Sequence, residues 1–464
     1  MDAQEREARY RRVDRLTRGL CQNTDTSNAE RMLRKHGKDI RYCTLWKKWL
    51  CWDGVRWEID TSAKMQALAK EVIRDMYVEA SRLGDDRDRR ELENHARKTE
   101  AVRGRKAMLE ALSWEPPVCV HPEQLDANDW LFNCRNGTID LKTGELRAPD
   151  RQDLMTKAAN AEYVPGAECP RWKGFLREIT GGNEELIAFI AKAAGWALTG
   201  NTSEQAMFIL HGNGANGKST FLNVLLDLFG DYAIATPTET FMRRTGGPVS
   251  NDLAALRGAR LVTTIEADEG KRLSESLIKQ ITGNDRLTVL FLYSEFFSFE
   301  PTCKIFMATN HKPIINGTDH AVWRRIRLIP FTVTIPPERQ DADLAECLKE
   351  EYPGMLNWLI DGCLRWQAER LGIPPAVREA TESYRSEMDV IGNFLRDRCV
   401  VDPRETVQSR ELFKAYAVWC EGNNEKAGSE RLLALRLQEM GYEKQKRADA
   451  RYWLGIGLQD EEPR

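Results

Sequence analysis

Zinc-ligand spacing is absent from this chain of 464 residues: its eleven cysteines are scattered, no two stand as CxxC, and histidines number six. A structural zinc of the Cys/His kind is therefore not expected, and free thiols in a reducing compartment are the better reading. A charge excess is missing too, with 68 Lys and Arg against 71 Asp and Glu. That rules out a globally basic nucleic-acid binder, so any contact with DNA or RNA comes from local patches or a lined channel. No long apolar run is present. The most apolar helical stretch, Leu186 to Leu198, is broken by Lys192 and too short to span a bilayer. The opening MDAQEREARYRR is charged and lacks the apolar core of a secretory signal. The expectation is a soluble, cytoplasmic protein with no membrane partner.

What is present suits a multidomain globular chain. Hydrophobic residues make up 42% and charged residues 30%, enough to bury more than one core. Disordered, collagen-like and small disulfide-stapled classes are excluded. Residues 1–170 mix helix and strand signals. Trp49, Trp52 and Trp57 flank Asp53-Gly54, which predicts a hairpin with a tight turn, and Asn136 to Leu146 (NGTIDLKTGEL) gives a second hairpin signal. The dense charge of residues 85–107 predicts a solvated helix face or linker. Pro165 and Pro170 mark a boundary, and residues 171–199 then show the apolar spacing of helices.

From Ala206 the pattern changes. AMFIL (206–210), ARLVTTI (259–265), KIFMAT (304–309) and RIRLIPF (325–331) are strand-length apolar runs, separated by polar loops and helices. Such runs predict a sheet buried on both faces, the α/β class. Beyond Pro336 the chain reads as helical to about residue 394. The last segment reads helix, helix, then two short strands, the order of a winged helix.

The strongest signal is Gly212-Asn213-Gly214-Ala215-Asn216-Gly217-Lys218-Ser219, which matches GxxxxGK[ST]. A strand-like run precedes it and the amphipathic segment STFLNVLLDLF follows, ending at Gly230. Glycines let a backbone turn so that its N–H groups face phosphate oxygens. A helix N-terminus adds partial positive charge. Lys218 can neutralise the β- and γ-phosphates, and the Ser219 hydroxyl can ligate magnesium. With Thr220 these residues form the expected nucleotide-binding set, and ATP with Mg2+ are the expected cofactors.

A nucleotide hydrolase also needs carboxylates beside the metal and the attacking water. The strand Leu261–Ile265 leads into Glu266, with Asp268 and Glu269 close behind. Glu266 stands where the metal-side carboxylate belongs; which of Asp268 and Glu269 polarises water is left open. KIFMAT leads into Asn310, whose amide can bond the γ-phosphate or position water. A turn-forming Asn before His311-Lys312-Pro313 is the plainer alternative. Arg324 and Arg325 open the last apolar run, where a buried strand needs a charge to answer them. An arginine presented to a neighbouring subunit's nucleotide stabilises the transferring phosphoryl group, and surface salt bridging is the alternative. On the first reading the active site lies between subunits and hydrolysis requires a ring.

These elements, in this order, resemble superfamily III helicases, above all the helicase part of phage and plasmid primase-helicases and of the poxvirus-type primase-helicase. The likeness covers nearly the whole chain through WLCWDGVRWEID, LFNCRNGTIDLKTGEL, ALTGNTSEQAMFILHGNGANGKSTFLNVL, IEADEGKRLSESLIKQITGND, FEPTCKIFMATNHKPII and WRRIRLIPF. It implies that Lys218 and Ser219 bind nucleotide and magnesium and that Glu266, with Asp268 or Glu269, forms the acidic motif. Asn310 would be the polar sensor, and Arg324 the arginine finger, with Arg325 next. The implied fold is α/β: an AAA+-like P-loop ATPase core (206–335) behind a helicase-associated α+β domain (1–170) and a helical linker (171–205). A helical lid region (336–394) and a winged-helix-like DNA-binding domain (395–464) would follow. The implied activity is ATP-driven translocation on single-stranded DNA by a homo-oligomeric ring, hexameric in the family's manner. Its partners would be single-stranded and forked DNA during replication of a phage, satellite or plasmid, in a bacterial cytoplasm. An ATP-switched DNA-binding regulator without unwinding activity is the alternative.

The resemblance further identifies Lys279 to Phe299 as the element before the sensor strand, which in the family forms a hairpin that grips DNA in the channel. Lys279 and Arg286 are kept here, and Val289, Leu290 and Phe291 stand where a basic residue is common. Tyr293 could stack on bases or pack in the core. The segment SERLLALRLQEMGYEKQKRADARYWLGIGL resembles the family's winged-helix end. There Ser429 would cap a helix carrying Arg431 and Arg436. Lys444, Lys446, Arg447 and Arg451 would hold duplex phosphates, or protect a solvated sheet edge. Larger relatives carry a primase domain upstream, so no primer synthesis is expected from this chain alone, and a separate primase or polymerase is a candidate partner.

Overall fold

The computed structural model describes residues 23–243, 251–265, 270–290, 296–315, 320–423, 425, 427–447 and 450–459. The N-terminal region runs α1 (Asp25–His36), β1 (Ile40–Cys43), β2 (Lys48–Trp52), β3 (Trp57–Ile59), α2 (Lys64–Arg82), α3 (Asp86–Glu100), α4 (Val102–Ser113) and β4 (Cys119–Val120). Its sheet has the order β3-β2-β1-β4. The tryptophan hairpin is present. Trp52 pairs with Trp57 across β2 and β3, and the two rings meet edge to face at 5.5 Å. Asp53 closes the turn by accepting from the N–H groups of Val55 and Arg56, each at 2.7 Å. Gly54 supplies the φ of 115° that a side chain would resist. The charged run folds as α3, where Asp85 accepts from the N–H groups of Arg87 and Asp88, and only Leu92, Ala96 and Thr99 are buried.

An antiparallel meander follows, β5 (Leu131–Cys134), β6 (Gly137–Asp140) and β7 (Glu145–Arg147), then α5 (Pro170–Ile179) and α6 (Glu184–Ala197). The next stretch contains β8 (Met207–His211), α7 (Lys218–Phe229), β9 (Ala233–Ala235), α8 (Asn251–Ala255), β10 (Leu261–Ile265) and α9 (Glu275–Thr282). It continues through a hairpin of β11 (Leu287–Leu290) and β12 (Phe296–Phe299), then β13 (Lys304–Thr309), α10 (His320–Trp323) and β14 (Ile326–Pro330). Helices α11 (Leu344–Lys349), α12 (Tyr352–Glu369), α13 (Pro375–Met388) and α14 (Val390–Arg398) come next. The chain closes with β15 (Cys399–Val400), β16 (Thr406–Gln408), α15 (Ser409–Gly422), α16 (Glu430–Glu439), β17 (Lys444–Lys446), β18 (Arg451–Leu454) and β19 (Gly457–Leu458).

The central sheet has the order β14-β8-β13-β10-β9, and every described pairing in it is parallel. Its strands coincide with the four apolar runs of the sequence, plus β9, a half-exposed three-residue edge too short to announce itself. All six residues of β13 are buried, as a parallel sheet covered on both faces demands. Because the strands are parallel, their carboxyl ends share one end of the sheet. Thr309 and Pro330 each lie beside His211, and Ile265 lies beside Ala308. The strand order reverses around β8, and a crevice outside the carboxyl ends at such a point is where α/β sheets receive ligands.

Two helices meet backbone to backbone behind this sheet. A Cβ on Gly195 of α6 would lie 2.2 Å from the Cys363 nitrogen of α12, and one on Gly362 would lie 2.1 Å from the Ala191 oxygen. The end of α6 is met by two buried cations. Arg260 donates to the Leu198 oxygen at 2.6 Å, and the Lys304 ammonium donates to the Thr199 oxygen and to the Thr302 oxygen at 3.1 Å. The Leu198 and Thr199 carbonyls carry the negative pole of the helix. Burial, with Arg260 close by, pulls Lys304 down to about 7, while Cys303, Asp129 and Cys363 oppose this. The unfolded chain holds that proton up to an ordinary lysine pKa, so above about pH 7 it binds more protons than the folded one and stability rises with pH. Lys304→Met is expected to flatten that rise, read as the change in urea midpoint between pH 7 and pH 9. An unaltered slope would assign the rise to other groups.

Candidate functional site

The glycine-rich loop leaves β8 at the carboxyl end of the sheet and enters α7 at Lys218. Two of its glycines are sterically required. A Cβ on Gly212 would stand 2.0 Å from the Phe331 oxygen, and Gly217 holds φ at 81° with Ile179 Cγ2 only 2.5 Å from where a Cβ would sit. The loop is tied down from outside: Asn216 Nδ2 donates to the Phe331 oxygen at 3.2 Å, and the Ile335 N–H donates to the Ala215 oxygen at 2.7 Å. Helix α7 starts without a side-chain cap, so its first N–H groups are left for an acceptor.

Lys218 is almost fully buried, at 5% exposure. Its ammonium donates to the oxygens of Gly212 (2.7 Å) and Asn213 (3.3 Å), to Asn216 Oδ1 (2.8 Å) and to Asn310 Oδ1 (3.1 Å). No carboxylate is among these partners, and burial holds the ammonium below its ordinary pKa. Anionic oxygens arriving here would answer a charge that these four partners meet only with dipoles. The surrounding cleft has a volume of about 310 Å³ and is lined by Gly214 to Thr220, Ile265, Ala308, Thr309 and Asn310. Ser219 is exposed in the first turn of α7.

Asn310 thus meets Lys218 across the cleft, although they are 92 positions apart. Its neighbour Thr309 makes the turn instead, donating to the His311 oxygen at 2.6 Å and accepting from the His311 N–H at 3.1 Å. Sequence reasoning missed the hydrophobic lining, Ile265 and Ala308, and also His211, which burial and the charges of Lys312 and Lys218 hold below its ordinary pKa. Their signal was position: each lies at a strand's carboxyl end. Glu266, Asp268, Glu269 and Tyr293 lie outside the described residues.

Arg324 and Arg325 differ sharply. Arg325 is buried, with Nε donating to Thr282 Oγ1 at 3.0 Å and Nη1 to the Ala321 oxygen at 2.5 Å, so it braces α9 against α10. Arg324 is exposed and donates to Gln205 Oε1 at 3.0 Å. Ile326 is beside Met207, and Pro330 is beside His211. Arg324 therefore sits at the amino end of the sheet, opposite the loop, and the five-residue strand between them spans about 16 Å at about 3.3 Å per residue.

The expected DNA contacts are dispersed. Lys279 is on α9 rather than in the hairpin, because Ile278 and Ile281 pack that segment as a helix. Arg286 pairs with Glu300 at 3.2 Å at the hairpin's base. Leu287 and Val289 are buried, which accounts for the apolar run, while Thr288 and Ser298 pair their hydroxyls at 2.9 Å on the outer face. At the other end, Ser429 caps α16 by accepting from the Leu432 N–H. Arg431 is exposed and Arg436 pairs with Glu439 at 2.6 Å. Lys444 lies 5.0 Å over Trp453 and Arg447 4.7 Å over Tyr452. With exposed Lys446 they line β17, the edge of the sheet β16-β18-β17.

Three family models match this chain: "D5 N terminal like" over residues 29–181, a "Family of unknown function (DUF5906)" over 210–325, and "Poxvirus D5 protein-like" over 386–453. The chain thus carries D5-like domains on both sides of the parallel sheet, consistent with a D5-like primase-helicase family member. Its relatives include "Putative helicase L207/L206" of Acanthamoeba polyphaga mimivirus, 25% identical over 89% of this chain and 47% of the relative. "Putative helicase 022R" of Frog virus 3 is 27% identical over 51% of this chain and 26% of the relative. "Putative primase C962R" of African swine fever virus (strain Badajoz 1971 Vero-adapted) is 24% identical over 65% and 34%. The chain spans less than half the length of these relatives. They are viral, and they point to a host other than the bacterial one expected from the sequence. Among solved structures, the apo C-terminal region of NrS-1 aligns with a TM-score of 0.49 at 10% identity, over 90% of this chain and 96% of that one. No described helix is long and apolar enough to cross a membrane.

Proposed function

We propose that this chain is the motor part of a replication helicase, hydrolysing ATP at the glycine-rich cleft and, as a homo-oligomeric ring of six copies, moving along single-stranded DNA to open forked DNA. The observation that carries the reading is the arrangement of three side chains. Lys218 and Asn310 converge on the loop at one end of the sheet, while Arg324 is exposed at the other. A cleft with a phosphate-binding lysine and a positioned amide, but no arginine of its own among the described residues, fits completion by another copy.

The residues suit magnesium-bound ATP, which would supply the phosphoryl group to be transferred. The uncapped start of α7 and the backbone of residues 212–217 would hold the phosphates, with Lys218 meeting their charge and Ser219, together with Glu266, holding the metal. Asn310 would orient the attacking water, which Asp268 or Glu269 would polarise. Arg324 of the adjoining copy would stabilise the transferring group. Lys279 and Arg286 near the hairpin, with Lys444, Lys446 and Arg447 on the C-terminal sheet, are the proposed DNA contacts. The names of the relatives support a replication role, in which a separate primase would supply primers. The test is ATPase activity and strand displacement on a forked substrate. Stimulation by single strands together with displacement is expected. Site-specific duplex binding without displacement would replace the motor with a DNA-binding regulator.

A further inference from the structure

Asn310 stands just beyond the end of β13, past the last residue that the sheet holds, yet its amide oxygen meets Lys218 at 3.1 Å. What fixes the turn after it comes largely from helix α13. The Lys312 ammonium donates to both oxygens of Glu387, each at 2.7 Å, across 75 positions of sequence. One residue further, the Pro313 oxygen accepts from the Tyr384 hydroxyl. The next residue is held from another side: the Ile314 N–H donates to the Lys271 oxygen at 2.8 Å, and the Ile314 oxygen accepts from the Leu273 N–H at 2.9 Å.

The anchor is itself rigid. Tyr384 is fully buried and meets the Trp323 ring edge to face at 5.0 Å. Thr381 accepts from the Leu328 N–H at 3.0 Å, which docks α13 on β14. One helical turn before Glu387, Ser383 Oγ donates to its Oε1 at 3.0 Å and orients the carboxylate. The Lys312 stem is flexible by nature, and here it is half-buried, with its ammonium 5.7 Å over the Tyr384 ring. His211, at the root of the glycine-rich loop, feels the same groups. Burial, then the charges of Lys312 and Lys218, lower its pKa, while Glu387 and the Asn310 backbone oppose this. Cleft lysine, amide and ion pair thus surround one imidazole. Glu387 is 46% exposed, and pairs so open to water contribute little to stability. Position is the larger effect. Lys312 is two residues from Asn310, and a shift of about 1 Å at an aligned group can cost about 10²-fold in rate.

We propose that Lys312 is a positioning residue for the cleft: its ion pair with Glu387 ties the turn after β13 to α13 and so sets where the Asn310 amide stands above the glycine-rich loop. Both members of the pair act through Asn310 and not on the nucleotide. This rests on the function proposed above, in which Asn310 orients the attacking water. It makes α13, a helix outside the strand-and-loop core, the frame against which the cleft is aligned.

In the full chain, Lys312→Met is expected to lower kcat for ATP about ten- to a hundredfold while KM stays within about twofold. Glu387→Ala should match it, and the double variant should be no slower than either single one. Lys312→Arg, which keeps the pair, should recover most of the rate. The deciding arm adds Lys312→Met to Asn310→Ala, where no further fall in kcat is expected. A further fall by the same factor would show that Lys312 works independently of Asn310 and overturn the proposal. Hydrogen exchange at residues 310–312 of the nucleotide-free chain reads the tie without catalysis. It should quicken in Lys312→Met and in Glu387→Ala, with the melting midpoint little changed. Unchanged exchange, or faster exchange with kcat unaltered, would reduce the pair to a surface brace. A native chain without ATPase activity would sink the motor reading and leave the exchange result to decide whether the pair holds the turn.

Discussion

Arg324→Ala is expected to lower ATP turnover by roughly 10³- to 10⁵-fold, the range over which a trans-acting arginine contributes to phosphoryl transfer. ATP affinity should stay nearly unchanged, because Arg324 and the cleft are at opposite ends of the same sheet. Folding should be little affected, since the side chain is exposed and its described hydrogen bond is to Gln205. A mixing experiment makes the assignment specific. An Arg324→Ala chain retains an intact cleft, and a Lys218→Ala chain retains an intact arginine. Each is inactive alone on this account, and together they should recover measurable turnover at interfaces that pair one of each. Absence of recovery, with both variants shown to assemble, would locate the stabilising charge elsewhere.

Lys218→Met should separate binding from folding. Among the described residues the side chain donates to four oxygens, of the loop and of Asn310, and none of them is anionic. Removing it relieves a buried charge but strips donors from Asn216 and Asn310, so the two effects oppose each other. The melting midpoint of the nucleotide-free chain should therefore move little. Saturating ATP stabilises a binder by about 2.7 kcal/mol at a hundred times Kd. The native chain should show that upward shift and the variant should lose it, with turnover reduced by at least about 10²-fold, the scale of losing one preorganised donor. A variant that keeps the ATP-induced shift would move the binding role from Lys218 to the backbone of the loop.

The glycine-rich loop was legible because its residue types are dictated locally: Gly212 and Gly217 have no room for a Cβ, and the turn and helix start follow from them. The four long strands were legible for the same reason, since burial on both faces writes an unbroken apolar run. What escaped depends on partners distant in sequence. Arg324 and Arg325 are indistinguishable as letters, and only the packing of α9 turns Arg325 inward toward Thr282. The apolar stretch Val289, Leu290 and Phe291 suggested an unusual hairpin tip, yet Val289 is buried in the core, and Phe291 lies outside the described residues. Arg378 and Arg385 come to line one cavity with Arg324 and Arg327 only once α13 docks on β14, which no spacing in the sequence announces. Short β9 was missed because three half-exposed residues carry no periodicity.

The separation of Arg324 from the cleft has a consequence for symmetry. Where the joint that brings one copy's guanidinium to the next copy's loop runs front to back rather than about a two-fold axis, a lone pair of molecules leaves one loop and one guanidinium unmatched. Adding copies turns each by a fixed angle. If that angle divides a full circle and the rise per copy is zero, the series shuts on itself; any residual pitch winds it into an open spiral with two unlike tips.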